Sequence, residues 1–180
     1  RVVLTTPACP VKAQIEEQVK VVLSDIPGVK KVQVQMDSEV KQAKSIADKS
    51  PVPGVRNIIA VSSGKGGVGK STVATNLAAG LAKLGASVGL LDTDIYGPNI
   101  PTMVGLHEPP QARNDEKRGE LLIPHQMHGL KVMSIGFLVR GDQPMIWRGP
   151  MLHSVVSQFL FKVDWDNTDY LIIDMPPGTG

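Results

Sequence analysis

The segment Ile58–Gly85 reads IIAVSSGKGGVGKSTVATNLAAGLAKLG: an apolar run, a glycine-rich loop and a helical pattern in direct succession. Within it Gly64, Gly69, Lys70 and Ser71 satisfy G-x-x-x-x-G-K-[ST], the spacing of a phosphate-binding loop. Such a loop leaves little freedom in the fold around it. Its glycines let successive backbone N–H groups turn inward on phosphate oxygens, and the helix that starts near Lys70 aims the positive end of its dipole at the same point. Lys70 adds a full charge, and the Ser71 hydroxyl adds a ligand for magnesium. A strand must therefore enter the loop and a helix must leave it. A glycine-rich turn that binds nothing needs neither the lysine nor the hydroxyl.

From Val55 onward the chain agrees with that demand. Apolar strands (NIIAVSS, ASVGLLD, LKVMSIG, YLIID) alternate with helices, one running to Leu84 with Val73, Leu77, Leu81 and Leu84 as its apolar stripe, another starting at Pro150. Strands apolar on both faces and separated by helices imply a parallel sheet covered by helices. The expected class is α/β, a P-loop NTPase sheet over residues 55–180, with further strands expected beyond LIIDMPPGTG because that Pro/Gly loop normally enters another helix. In the helix from Pro150, Met151, Val155 and Phe159 form one stripe with Leu152 and Val156 beside it. Arg113–Glu120 (RNDEKRGE) reads as a solvated loop. HQMH, with His125 and His128 bracketed by Pro124 and Gly129, also reads as a loop and not as a metal site.

Residues 1–37 read as a separate small α+β domain whose first strand, Val2–Thr5, lies at the very start of the chain, so that more is expected upstream. Val11, Ile15, Val19, Val22 and Ile26 share one helical face, and Pro27-Gly28 ends the helix. KKVQVQM then alternates Val32, Val34 and Met36 with Lys31, Gln33 and Gln35, as a half-buried strand does. Residues 38–54, charged and leaving through Ser-Pro-Val-Pro-Gly, read as a linker.

Charge and cysteine content narrow the partners. Nineteen basic against seventeen acidic side chains give a formal +2, too little to argue for a nucleic-acid surface or an anionic membrane, and no apolar run approaches a spanning helix. The single cysteine, Cys9, excludes an internal disulfide framework and fits a reducing compartment, the cytoplasm or, in a plant, the plastid stroma.

Two acidic segments complete the pattern. VGLLDTDIYGPN ends a buried strand with Asp92 and Asp94, at the strand end where open α/β sheets bind ligands. Asp-Thr-Asp is also a good turn cap, a purely structural alternative. YLIIDMPPGTG places Asp174 after four strand residues, and in this order after the phosphate loop it reads as the carboxylate that holds magnesium, directly or through water.

An ordinary phosphate loop does not require a lysine at its second position. GKGGVGKS, with Lys65 there, resembles the deviant Walker A signature of the class that includes septum-site and partition ATPases, the arsenite pump ATPase, the nitrogenase iron protein and the Mrp/ApbC iron-sulfur carriers. DTDIYGPNIPTMVG, MIWRGPM and DMPPGTG resemble the Mrp/ApbC branch in particular. TTPACPVKAQIEEQV followed by IPGVKKVQVQM is similar to the small iron-sulfur assembly domain fused to the front of many members. The resemblance implies an ATP-hydrolysing homodimer. Lys65 would reach across the nucleotide site to the partner's phosphates. Gly64, Gly66, Gly67, Val68, Gly69, Lys70, Ser71 and Thr72 would cradle the nucleotide. Asp94 would position the attacking water, while Ser71, Asp92 and Asp174 would attend magnesium. It also implies an iron-sulfur cluster that is passed to apoproteins, held by a C-x-x-C pair which these 180 residues do not contain. Cys9 matches a cysteine of the small domain by position, although a lone cysteine is more often a buried small hydrophobe. Arg148, after Trp147, fits a switch or partner contact as well as loop anchoring, and Met103, Met127, Met133 and Met145 read as core filler. Two rival functions remain open at this point: a positioning ATPase acting on membrane or DNA, and a nucleotide-switched adaptor without enzymatic activity.

Overall fold

A computed structural model describes residues 1–39, 51–138 and 149–178. Trp147, Arg148 and Met145 lie outside the described residues, as do residues 40–50 and the side chains of Met151 and Leu152. The core is a five-stranded sheet in the order β3 (Val55–Val61), β9 (Thr168–Asp174), β4 (Val88–Asp92), β8 (Leu130–Ser134), β7 (His125–Met127). The first four strands run parallel and β7 runs antiparallel to β8. All five residues of β4 are buried, as a central strand covered on both faces requires. Gly89 sits there because a Cβ would lie 2.8 Å from Leu171 and 2.9 Å from the ring of Trp165. That indole is fully buried and donates its Nε1–H to the Phe159 carbonyl at 2.8 Å, at the C-terminal end of α4 (Gly149–Phe161). Phe159 is buried and Val155 packs against the core, as their stripe predicts.

Helix α2 (Lys70–Lys83) follows the phosphate loop as expected, but it does not bury the expected stripe. Ala74, Ala78 and Lys70 face inward, whereas Val73, Leu77 and Leu84 are exposed, and Leu81 alone of that stripe packs on the core. The small side chains let the helix axis approach the sheet closely, and this close contact overrides the larger apolar periodicity.

Two segments read as loops are strands. Ala112–Asp115 (β5) and Gly119–Leu122 (β6) form a hairpin whose turn is built by Asp115, which accepts the N–H groups of Lys117 and Arg118. Its two arginines are paired, not merely solvated: Arg113 holds Asp164 through two nitrogens at 2.9 and 2.6 Å, and Arg118 reaches Asp164 and Asp166. His125–Met127 is β7, turned onto β8 through His128 and Gly129 at φ 51° and 76°, a two-residue hairpin connection with both φ positive. The His125 ring packs edge-on against Phe137 and lies 3.0 Å from the Glu108 carbonyl.

At the N-terminus β1 (Val2–Leu4) and β2 (Met36–Ser38) pair in parallel around α1 (Lys12–Ser24). The alternation Lys31–Gln35 is not strand. The ladder with β1 begins at Met36, opposite Val2, and the Gln35 carbonyl accepts the Val2 N–H at 2.9 Å. No residue of α1 is buried; Ile15 and Val19 are half covered, while Val11, Val22 and Ile26 stand exposed. Ala8 joins the main core, and the Thr6 hydroxyl lies 3.2 Å from that of Tyr170. Val52, read as linker, is also buried in that core, and Gly54, at φ 76°, accepts the Thr168 N–H.

Candidate nucleotide-binding site

Every element around the site is aimed at it by the sheet. β3 feeds the loop Ser62–Gly69, β4 delivers Asp92–Asp94, and β9 delivers Asp174, all at their C-terminal ends. Gly67 and Gly69 adopt φ of 73° and 91°, which brings the loop round into α2. Gly69 caps α2 in the left-handed region with no side-chain cap and no acidic residue in the first turn. The first N–H groups of α2 are therefore left to an external anion. Ser63, Lys65, Gly66, Gly67, Gly69, Lys70, Ser71 and Thr72 line a cavity of about 420 Å³. Asp94, Asn99, Thr102, Met103 and Pro177 close its other side.

Lys70 is buried, with Nζ 2.6 Å from Asp174 Oδ1, 3.5 Å from Asp94 Oδ2 and 3.4 Å from Ser71 Oγ. One ammonium thus faces two carboxylates. Among the described residues, Asp94 Oδ1 and Asp174 Oδ2 are buried side-chain oxygens without a hydrogen-bond partner. Buried carboxylate oxygens with unused lone pairs beside a serine hydroxyl are hard donors, the set that magnesium prefers. The residues present therefore fit the ion.

Asp92, expected to attend magnesium, pairs in register with Asp174. It is fully buried and absent from the cavity wall. Its Oδ1 accepts the Asp94 N–H at 3.0 Å, and its Oδ2 accepts the Ser134 hydroxyl at 3.0 Å and the Ile100 N–H at 3.3 Å. Burial pushes its carboxyl up to about 6, opposed by those hydrogen bonds and reinforced by the charge of Asp174. Thr93 ties the two acidic segments together by donating both its N–H and its hydroxyl to the Asp174 carbonyl, at 3.0 and 2.8 Å. The Gly178 N–H reaches the Ser63 carbonyl at 2.9 Å and holds the segment after β9 against the phosphate loop.

Lys65 is exposed at the cavity rim, and Val68 is exposed without lining it. Met103, expected in the core, is 43% exposed and forms part of the wall; Met133 is buried, and Met127 packs on the core. Cys9 is half-buried in the loop before α1, where its carbonyl accepts the Lys12 N–H. Sequence reasoning missed Asn99, Thr102 and Ser134. The first two sit on a turn and on a five-residue helix, α3 (Ile100–Val104), that only the folded loop brings to the cavity; Ser134 ends β8 with no motif to mark it.

Residues 54–180 match the family described as NUBPL iron-transfer P-loop NTPase, and residues 1–36 match the iron-sulfur cluster assembly protein family. An iron-sulfur cluster carrier protein of Synechocystis sp. is 56% identical over 178 residues, covering 99% of this chain and 50% of the relative. The iron-sulfur cluster carrier protein of Escherichia coli is 46% identical over 167 residues, 93% of this chain and 44% of the relative. The chloroplastic Fe-S cluster assembly factor HCF101 of Arabidopsis thaliana is 49% identical over 183 residues, all of this chain and 33% of that protein. The chain spans about half or less of the length of these relatives. A solved nucleotide-binding protein from Archaeoglobus fulgidus, in complex with ADP, superposes with a TM-score of 0.55 at 44% identity, covering 69% of this chain and 45% of that one.

Proposed function

Because this chain belongs to the iron-transfer P-loop NTPase family, we propose that it is an ATP-binding and ATP-hydrolysing carrier that binds iron-sulfur clusters and transfers them to apoproteins. The observation that carries the nucleotide half is the convergence of an α2 N-terminus without a side-chain cap, Lys70 and two buried carboxylates with unpartnered oxygens on one cavity. The carrier half rests on the assembly-domain match at residues 1–36 and on the relatives' names.

The residues divide the work as follows. Backbone N–H groups from Gly64 through Thr72 and the Lys70 ammonium hold the phosphates. On nucleotide binding Lys70 exchanges Asp174 for a phosphate oxygen, and the carboxylate is released. Magnesium, when bound, neutralises phosphate charge; Ser71 and Asp174 would hold it, with Asp92 acting at one remove through the Asp94 segment. Asp94 orients the attacking water through its unpartnered oxygen. Lys65, exposed on the rim, stabilises charge on the transferring phosphoryl group of a second copy, so that hydrolysis and homodimer formation are coupled. The cluster is cargo and its ligands are not Cys9 alone, since one thiolate does not make a cluster site. Among the described residues no helix is long and apolar enough to cross a membrane. The modest net charge supports a protein that engages neither membrane nor nucleic acid, and the chloroplastic relative fits a plastid stroma as well as the cytoplasm.

The test is ATP turnover by the full chain beside its Asp94→Asn variant. Retained nucleotide binding with turnover lost supports the assignment. Unchanged turnover removes Asp94 from the mechanism, and cluster delivery by a variant that cannot hydrolyse ATP would favour the adaptor.

A further inference from the structure

We propose that Ser134 is a positioning residue for this hydrolysis: acting through Asp92, it fixes the loop that carries Asp94 and one wall of the nucleotide cavity. The inference rests on the ATPase reading above. Ser134 ends β8, fully buried and off the cavity wall, and its ladder partner on β4 is Asp92. Its hydroxyl donates to Asp92 Oδ2 at 3.0 Å and accepts the Gly136 N–H at 2.9 Å. The Asp92 carboxylate in turn receives the N–H of Asp94 at one end of the loop and that of Ile100 at the other. A single carboxylate therefore pins both ends of the six-residue stretch 94–99, and Ser134 braces it from the neighbouring strand. Immediately behind, Gly136 backs the same loop: a Cβ there would stand 3.0 Å from Pro98 and 3.1 Å from Pro101.

What the brace positions is specific. Asp94, Asn99, Thr102 and Met103, all on or just beyond the pinned stretch, line the cavity. The phosphate loop is held independently, by β3 and by the Gly178 N–H on the Ser63 carbonyl. Loss of the Ser134 hydroxyl should therefore loosen the reacting geometry while leaving phosphate binding intact. Misplacement of a reacting group by a fraction of an ångström to one ångström is costly to rate out of proportion to its effect on affinity.

The test uses the full chain with Ser134→Ala, a variant that fits the space and deletes only the hydroxyl. The expected result is a kcat lower by roughly ten- to a hundredfold. The Kd for Mg-ADP should change by less than about threefold, and amide hydrogen exchange should rise selectively across residues 94–104. A folded variant with wild-type kcat overturns the proposal, as does loss of kcat and affinity in parallel with exchange raised throughout the sheet. If Ser134→Ala does not fold, Ser134→Cys serves, because it keeps the volume of the side chain and replaces the hydroxyl on Asp92 by a weak thiol donor. It should lower kcat with Kd held, and an unchanged kcat would again overturn the proposal. If the wild type hydrolyses nothing, the ATPase reading fails on its own, and the exchange measurement still decides whether Ser134 braces the loop.

Discussion

The Lys70 ammonium lies 2.6 Å from Asp174 Oδ1 in a buried pair, with Asp94 Oδ2 at 3.5 Å on its other side. Lys70 is thus the counterion of the carboxylates until a nucleotide arrives. Removing it by Lys70→Met leaves two buried carboxylates without their counterion, and breaking a buried pair in this way costs about 3 kcal/mol or more. Urea unfolding of the full chain should show that loss, and Asp174→Asn added to Lys70→Met should recover part of it. Equal stability of Lys70→Met and wild type would mean that the pair carries no weight.

The exposed position of Lys65 leads to a mixing experiment. Lys65→Ala and Asp94→Asn should each be inactive alone. If Lys65 works across a dimer, a heterodimer of the two has one site with both groups intact, so an equal mixture recovers about a quarter of wild-type turnover. A lysine acting within its own subunit would give no recovery on mixing.

Asp92 makes stability depend on pH in a defined direction. Its folded carboxyl, pushed up to about 6 by burial, binds a proton more tightly than in the unfolded chain. The fold is therefore favoured by this group below about pH 4, loses that advantage as the pH rises to about 6, and levels off above, a change of about 3 kcal/mol. Asp92→Asn should remove that slope, seen as unfolding profiles of wild type and variant that converge or diverge between pH 4 and 6. Profiles that run parallel would contradict the assignment. Because the Ser134 hydrogen bond opposes the rise, Ser134→Ala should move the titration higher.

Gly89 is required by contact, not by backbone angle. Gly89→Ala would push on Leu171 and Trp165 in the centre of the sheet and should destabilise the full chain by about 1–3 kcal/mol. A melting temperature equal to wild type would show that the indole has room to give.

The phosphate loop made the sheet legible, because the loop works only between a strand and a helix, and β3, α2, β4, β8 and β9 fall where periodicity places them. The errors have physical causes. The RNDEKRGE segment looks solvated because its partners, Asp164 and Asp166, are some fifty residues away in sequence. The stripe Val73, Leu77, Leu84 suggests a buried face, but the alanines of α2 make the close contact. For the site, the motif residues Lys65, Lys70 and Ser71 identify themselves, and Asp94 and Asp174 follow from strand ends. Spacing alone does not separate Asp92 from Asp94, since the hydroxyl that holds Asp92 belongs to Ser134, forty-two residues on in another strand.

The most direct measurement of the central claim uses the full chain purified without oxygen, reconstituted with iron and sulfide, and assayed for iron and visible absorption with and without ATP. About one cluster per dimer is expected, passed to an apoprotein in a manner that responds to ATP. Intact ATPase activity with no bound iron would contradict the carrier reading and turn attention to membrane and DNA binding.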